Sequence, residues 1–161
     1  MDIGIGAILS ASDLQSTLQR QVPSCIVRVV GSFEELLGLE GDVRVVRSES
    51  PSELPTGIQV NARLREGTDY EAWLREIARS LSEMLNCRTI VDGTRFGDSP
   101  SPYWSLVFDG SVAYLADDLG SAFGEDDPKG GPVRIIRQLR AESFGPRLNL
   151  AEHVIMGDPT S

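Results

Sequence analysis

His153 is the single histidine of this chain, and that alone narrows the chemistry open to it. A Ser-His-Asp hydrolase needs its imidazole beside a serine on a strained turn, and no G-x-S-x-G is present. A zinc site needs several nitrogen or sulfur ligands at helical or hairpin spacing, and His153 has no H-x-x-x-H or H-x-x-E neighbour. Cys25 and Cys87 share no C-x-x-C or Cys/His spacing. They read as two small buried residues of a reducing compartment rather than as a disulfide. Gly4-Ile5-Gly6 starts like a dinucleotide fingerprint, but Leu9 stands where the third glycine belongs. These motifs predict no cofactor, no metal and no catalytic set.

Carboxylates are the remaining chemistry-bearing group. Between Phe108 and Pro128 the chain carries Asp109, Asp117, Asp118, Glu125, Asp126 and Asp127 without one basic residue. The sign then reverses, with Lys129, Arg134, Arg137, Arg140 and Arg147 against Glu142 alone. A calcium loop needs alternating oxygen ligands and a closing bidentate glutamate, and the 117–125 run does not alternate in that way. A solvated, self-repelling loop is one reading. The sharper one is a surface that docks on a basic partner, where grouped charge speeds encounter and rejects wrong partners. Tyr103, Trp104 and Tyr114 flank that run as aromatic contacts. Two other readings stay open: a metal-dependent enzyme centred on Asp92, Asp98 and Asp117, and an adaptor or secretion chaperone.

The elements that must position these residues are read from periodicity. Tyr70, Trp73, Leu74, Ile77, Ala78, Leu81, Met84 and Leu85 fall on one stripe of a 3.6-residue period, predicting a helix over 69–86. Arg75, Glu76, Arg79, Ser80 and Glu83 form its solvent face. Thr68 and Glu71 have capping-box spacing, and Gly67 and Asn86 punctuate the ends. A hairpin follows over 103–115 with Asp109-Gly110 as its two-residue turn, so that Phe108 faces Ser111, Leu106 faces Ala113 and Trp104 faces Leu115. Segments 58–64 and 88–91 read as strands on either side of the helix, a candidate βαβ unit.

Earlier in the chain, 3–9 is a strand weakened by Gly4 and Gly6. A short helix over 13–21 carries Leu14, Leu18 and Val22 inward, with Ser10 or Ser12 as cap. Segments 25–30 and 42–47 are β-branched strands, and Ser32 caps a short turn of helix over 33–37. The Ser/Pro-rich stretch 48–57 reads as a mobile loop, 133–139 fits a strand or a short helix, and 145–161 reads as a loosely held tail. The expected fold is α+β: a single domain over 1–161, with a mixed or antiparallel sheet packed on one long amphipathic helix and carrying the hairpin.

Composition adds exclusions. A net charge of −9 opposes simple electrostatic binding to nucleic acid. No apolar run is long enough to span a bilayer. The start Met1-Asp2-Ile3 lacks a basic n-region, which predicts a cytoplasmic location.

The helix end and strand "SLSEMLNCRTIVDGT", followed by the hairpin and acidic exit "PYWSLVFDGSVAYLADD", resemble small cytoplasmic immunity proteins of bacterial polymorphic-toxin and contact-dependent inhibition systems. The resemblance covers about 58–118 and is one of element order, without a diagnostic motif. It implies a non-enzymatic protein that binds one cognate toxin and blocks it. The expected contact set is Asp117, Asp118, Glu125, Asp126, Asp127, Tyr103, Trp104 and Tyr114, facing a basic toxin surface.

Overall fold

The strand that Gly4 and Gly6 weaken on paper lies in the middle of the sheet. The computed structural model describes residues 1–125 and 130–157. In chain order it has β1 (Ile3–Ile5), α1 (Ala11–Gln21), β2 (Val27–Val30), α2 (Phe33–Leu36), β3 (Val43–Glu49) and β4 (Thr56–Ala62). There follow α3 (Tyr70–Leu85), β5 (Arg88–Asp92), β6 (Trp104–Asp109), β7 (Val112–Asp117), α4 (Ala122–Glu125) and β8 (Arg134–Leu139). The eight strands form one sheet in the order β2-β3-β4-β1-β5-β6-β7-β8. Only β2 and β3 pair in parallel, so the sheet is mixed.

The fold is α+β, as expected, but the sheet dominates it. α3 shares the core face with α1, whose Leu14 and Leu18 join Trp73, Ile77 and Leu81 over Ile3, Ile5, Val45, Ile58 and Leu106. The βαβ unit is split. β1 is inserted between β4 and β5 and runs antiparallel to both, so those two are parallel without touching. Gly4 makes the insertion possible: a Cβ there would stand 2.7 Å from Ile90 Cγ2 and 3.0 Å from Leu54 Cδ1. Those two side chains, with Val107 and Ala116, form a smaller cluster on the opposite face of the sheet.

Local chemistry explains the ends of α3 and corrects its cap. Asp69, rather than Thr68, caps the helix, its carboxylate accepting from the Ala72 N–H at 3.2 Å. At the far end Asn86 is left-handed (φ 51°), where a short polar side chain is tolerated. Two stripe residues, Tyr70 and Met84, are exposed. Glu76, assigned to solvent by its spacing, is buried instead. Ser82 is fully buried; its hydroxyl donates to the Cys87 carbonyl at 2.6 Å and accepts from the Gly110 N–H at 2.8 Å, tying helix, strand and hairpin tip together.

The hairpin is present with its turn moved one residue on. Asp109 pairs with Val112, so Gly110-Ser111 is the turn and only Gly110 takes positive φ (62°), the pattern of a type II′ turn. Phe108 therefore faces Ala113, Leu106 faces Leu115 and Trp104 faces Asp117. The expected pairing is displaced by two residues on the partner strand. An even displacement keeps every side chain on its expected face, because strand periodicity is two.

Two stretches expected to be loose are built in. The 48–57 stretch lends its ends to β3 and β4; between them Leu54 is buried and Ser52 Oγ accepts from the Leu54 N–H at 3.1 Å. The 145–157 segment buries Leu150 and Val154. The Trp73 indole donates to the Leu150 carbonyl at 3.1 Å, and the Ile155 N–H donates to Arg63 at 2.8 Å. One position tests how tightly the sheet meets its neighbours. A Cβ on Gly93 would lie 2.6 Å from the Ser105 carbonyl carbon and 2.8 Å from the Leu106 nitrogen, both backbone atoms. Gly93→Ala is expected to destabilise the chain by about 1–3 kcal/mol, read by urea titration, because backbone cannot swing aside as a side chain can.

Candidate functional site

β6 and β7 bring four of the expected contact residues to one end of the sheet. Trp104 and Asp117 are cross-strand neighbours, and Asp117 is in turn opposite Arg134 on β8. Tyr103 and Asp118 follow directly, the Asp118 N–H donating to the Tyr103 carbonyl at 2.9 Å. Trp104 is half-buried over the tight Gly97 and donates its indole N–H to the Ser99 carbonyl at 2.7 Å. Tyr114 is elsewhere. It sits on the opposite face with Val107 and Ala116, because its strand parity differs from that of Trp104 and Asp117. Glu125 closes α4; its side chain, and Asp126 and Asp127 entirely, lie outside the described residues.

The two central acids are not free surface charges. Asp117 accepts from the Leu119 N–H at 3.0 Å and from Arg134 at 2.9 Å. These contacts, the backbone one first, hold its carboxyl below the ordinary range. Asp118 turns inward and is 3 % exposed, with no hydrogen-bond partner for its Oδ1. Burial, reinforced by the negative charges of Asp117 and Asp92, pushes its carboxyl up to about 7, while the Ser105 hydroxyl works against that shift. Its own carbonyl accepts from the Ser121 N–H and hydroxyl, at 3.0 and 2.6 Å, so the backbone at this turn is fastened.

The Arg-rich segment answers the acids that precede it. Besides Arg134 with Asp117, Arg137 binds Asp98 at 3.0 Å, and Arg147 binds Glu76 at 2.9 Å and Glu83 at 2.8 Å. Sequence reasoning noticed the charge reversal after Pro128 but not its purpose. The signal covers one of these pairs, since Asp117 and Arg134 belong to oppositely charged blocks and lie on neighbouring strands.

The three acids of the carboxylate-centred alternative each meet a partner within the fold. Asp98 and Asp117 each face an arginine, and Asp92 accepts from the Thr94 hydroxyl at 2.7 Å. Among the described residues no three His, Cys, Asp or Glu side chains come together as a metal-holding group. His153 lies half-buried with Nδ1 3.4 Å from the Thr68 hydroxyl. Cys25 and Cys87 are free thiols, each raised above the ordinary range chiefly by burial. Among the described residues no helix is long and apolar enough to cross a membrane. Compared with known proteins, the chain matches no family model, no curated protein and no solved structure.

Proposed function

We propose that this chain is a non-catalytic binding protein that neutralises a cognate bacterial toxin, holding it by strand addition along β8. The toxin assignment rests on the resemblance of 58–118 to immunity proteins. The mode of binding is supported by one observation, the contrast between the two edges of the sheet. At the β2 edge, the Val27 and Val29 N–H groups donate to Gln19 and Gln15 side chains of α1, at 3.4 and 3.2 Å. That edge is closed by its own helix. At the β8 edge, Arg134, Ile135, Ile136, Arg137 and Gln138 are exposed in succession, and among the described residues nothing hydrogen-bonds the outer side of the strand.

An open edge is a template for another strand. Charge selects which. Pairing β8 antiparallel with a second copy, centred on Arg137, would set Arg134 against Arg140 and Arg137 against itself, and directly opposed like charges are destabilising. An extended toxin segment bearing acids meets the same row favourably. This mode differs from the docking of an acidic run on a basic surface, in which Asp117 is paired and Asp118 is buried while the Glu125 side chain, Asp126 and Asp127 lie outside the described residues. Arg137 and Arg140 are both exposed, so an Arg137→Glu/Arg140→Glu variant should stay folded and lose only about 1 kcal/mol from the surface pair of Arg137 with Asp98. It should bind the product of the adjacent upstream gene at least ~10-fold more weakly by calorimetry, as expected when buried charge pairs change sign. A toxin that stays active in excess of the parent protein defeats the functional reading; a variant that binds as well as the parent defeats the β8 assignment.

A further inference from the structure

α3, β6 and the 144–148 segment line a half-open cavity of about 130 Å³. Phe108, Phe144, Pro146 and Leu148 form its apolar lining, and α3 adds Arg75, Arg79 and Glu76, whose carboxylate is held by Arg147. The volume is close to the ~150 Å³ known to accommodate one benzene ring in a protein core.

The arginines are unusual in what they lack. A helical arginine ordinarily pairs with acids three or four positions away. For Arg79 those are Glu76 and Glu83, and both are occupied by Arg147, at 2.9 and 2.8 Å. For Arg75 the corresponding acid is Glu71, which binds Arg95 at 3.0 Å, as Asp69 does at 2.8 Å. Among the described residues Arg79 has no hydrogen bond or ion pair, and Arg75 has only the Phe96 ring, 5.1 Å from its guanidinium carbon. Arg75 is also drawn below its ordinary range, chiefly by burial and further by Arg95, against the opposing charges of Asp69, Glu71 and Asp92. Two guanidinium groups therefore keep their donors unspent beside an apolar cavity of one-ring size. A partly desolvated guanidinium fork matches a carboxylate.

We propose that this cavity is a binding site for a small aromatic carboxylate, the ring on Phe108 and Phe144 and the carboxylate against Arg75 and Arg79. The inference is independent of toxin binding. Phenylacetate is the probe, with acetate and benzyl alcohol as half-ligands lacking the ring or the charge. Phenylacetate should raise the melting temperature of the full chain saturably, as any ligand selective for the native state does, and both half-ligands should fall well short. Arg79→Gln should weaken phenylacetate binding about tenfold by calorimetry, the loss expected for one charged hydrogen-bonding partner. Ala72→Leu, at the cavity wall, should abolish it; if that variant does not fold, Arg75→Gln provides the second test. No shift with phenylacetate, or equal shifts for acetate or benzyl alcohol, overturns the proposal. So does unchanged affinity in both arginine variants.

Discussion

Asp118→Asn should make the protein more stable at pH 8 by about 2–4 kcal/mol and almost leave it unchanged at pH 4. The carboxyl of Asp118 rises from 3.8 to about 7 on folding, mainly through burial. The native chain therefore holds that proton more tightly than the unfolded chain does. Protonated Asp118 contributes its full stability below pH 3.8, and the contribution is lost as pH rises through about 7. Each unit of the shift is worth about 1.4 kcal/mol, and the lower end of the range allows for water reaching the turn in the ionised state. An asparagine cannot ionise, so the variant should lack this slope between pH 4 and 8. Urea titrations at several pH values over that range provide the check. Parallel pH profiles for the two proteins would mean that Asp118 is charged and solvated in the native chain. The charge reversal at Asp117 and Asp118 that suits an exposed acidic surface is thus a poor binding probe. At position 118 it would force a longer side chain into a site that is only 3 % exposed.

Arg147→Ala should cost about 2–4 kcal/mol and loosen the whole 145–157 segment. Arg147 Nε donates to both oxygens of Glu76, at 2.9 and 3.0 Å, and the Leu148 N–H donates to the same carboxylate at 2.7 Å. Glu76 is 7 % exposed. Truncating the arginine leaves a buried carboxylate with one remaining donor, and such half-broken pairs are more damaging than complete removal of the pair. The estimate stays at the low end because the arginine itself is partly exposed, which screens the pair. Two comparisons sharpen it. Arg147→Lys keeps the charge but not the two-pronged donor, so it should recover only part of the loss. Combining Arg147→Ala with Glu76→Gln should recover more. The same segment receives the Trp73 indole N–H through the Leu150 carbonyl. Hydrogen exchange at that indole should accelerate in Arg147→Ala and stay near the parent rate in the double variant. Unchanged exchange in the single variant would place the anchor of the segment elsewhere.

Much of the frame was legible from spacing. The α3 stripe, a serine cap on α1 (Ser10 of the two candidates), Ser32 as cap of α2 and the hairpin all follow from local rules. Each depends on residues within a few positions of one another. Two of the errors were local too, the α3 cap moving from Thr68 to Asp69 and the hairpin turn by one residue; the split βαβ unit and the burial of Glu76, Leu54, Leu150 and Val154 were not. The contact set was legible only in part. Trp104, Tyr103, Asp117 and Asp118 do converge, because hairpin pairing brings strand ends together, but Tyr114 lies on the other face.

Sequence by itself determined most of the strand and helix inventory, leaving 133–139 open and α4 unseen, together with the inward stripe and the two charged blocks, since periodicity and propensity act over a turn or two. Only the tertiary structure decided what those blocks are for. β1 entered between β4 and β5, separated by more than fifty and eighty residues in sequence, and so split the expected βαβ unit. Arg134 came to Asp117 and Arg147 to Glu76, pairing one acid of the run and turning a glutamate assigned to solvent into a buried ion-pair partner. Burial and pairing are properties of neighbours in space, and the chain order of a carboxylate does not say whether it will meet water, an arginine or other carboxylates. Asp118 met burial beside Asp117 and Asp92, which together draw its carboxyl upward.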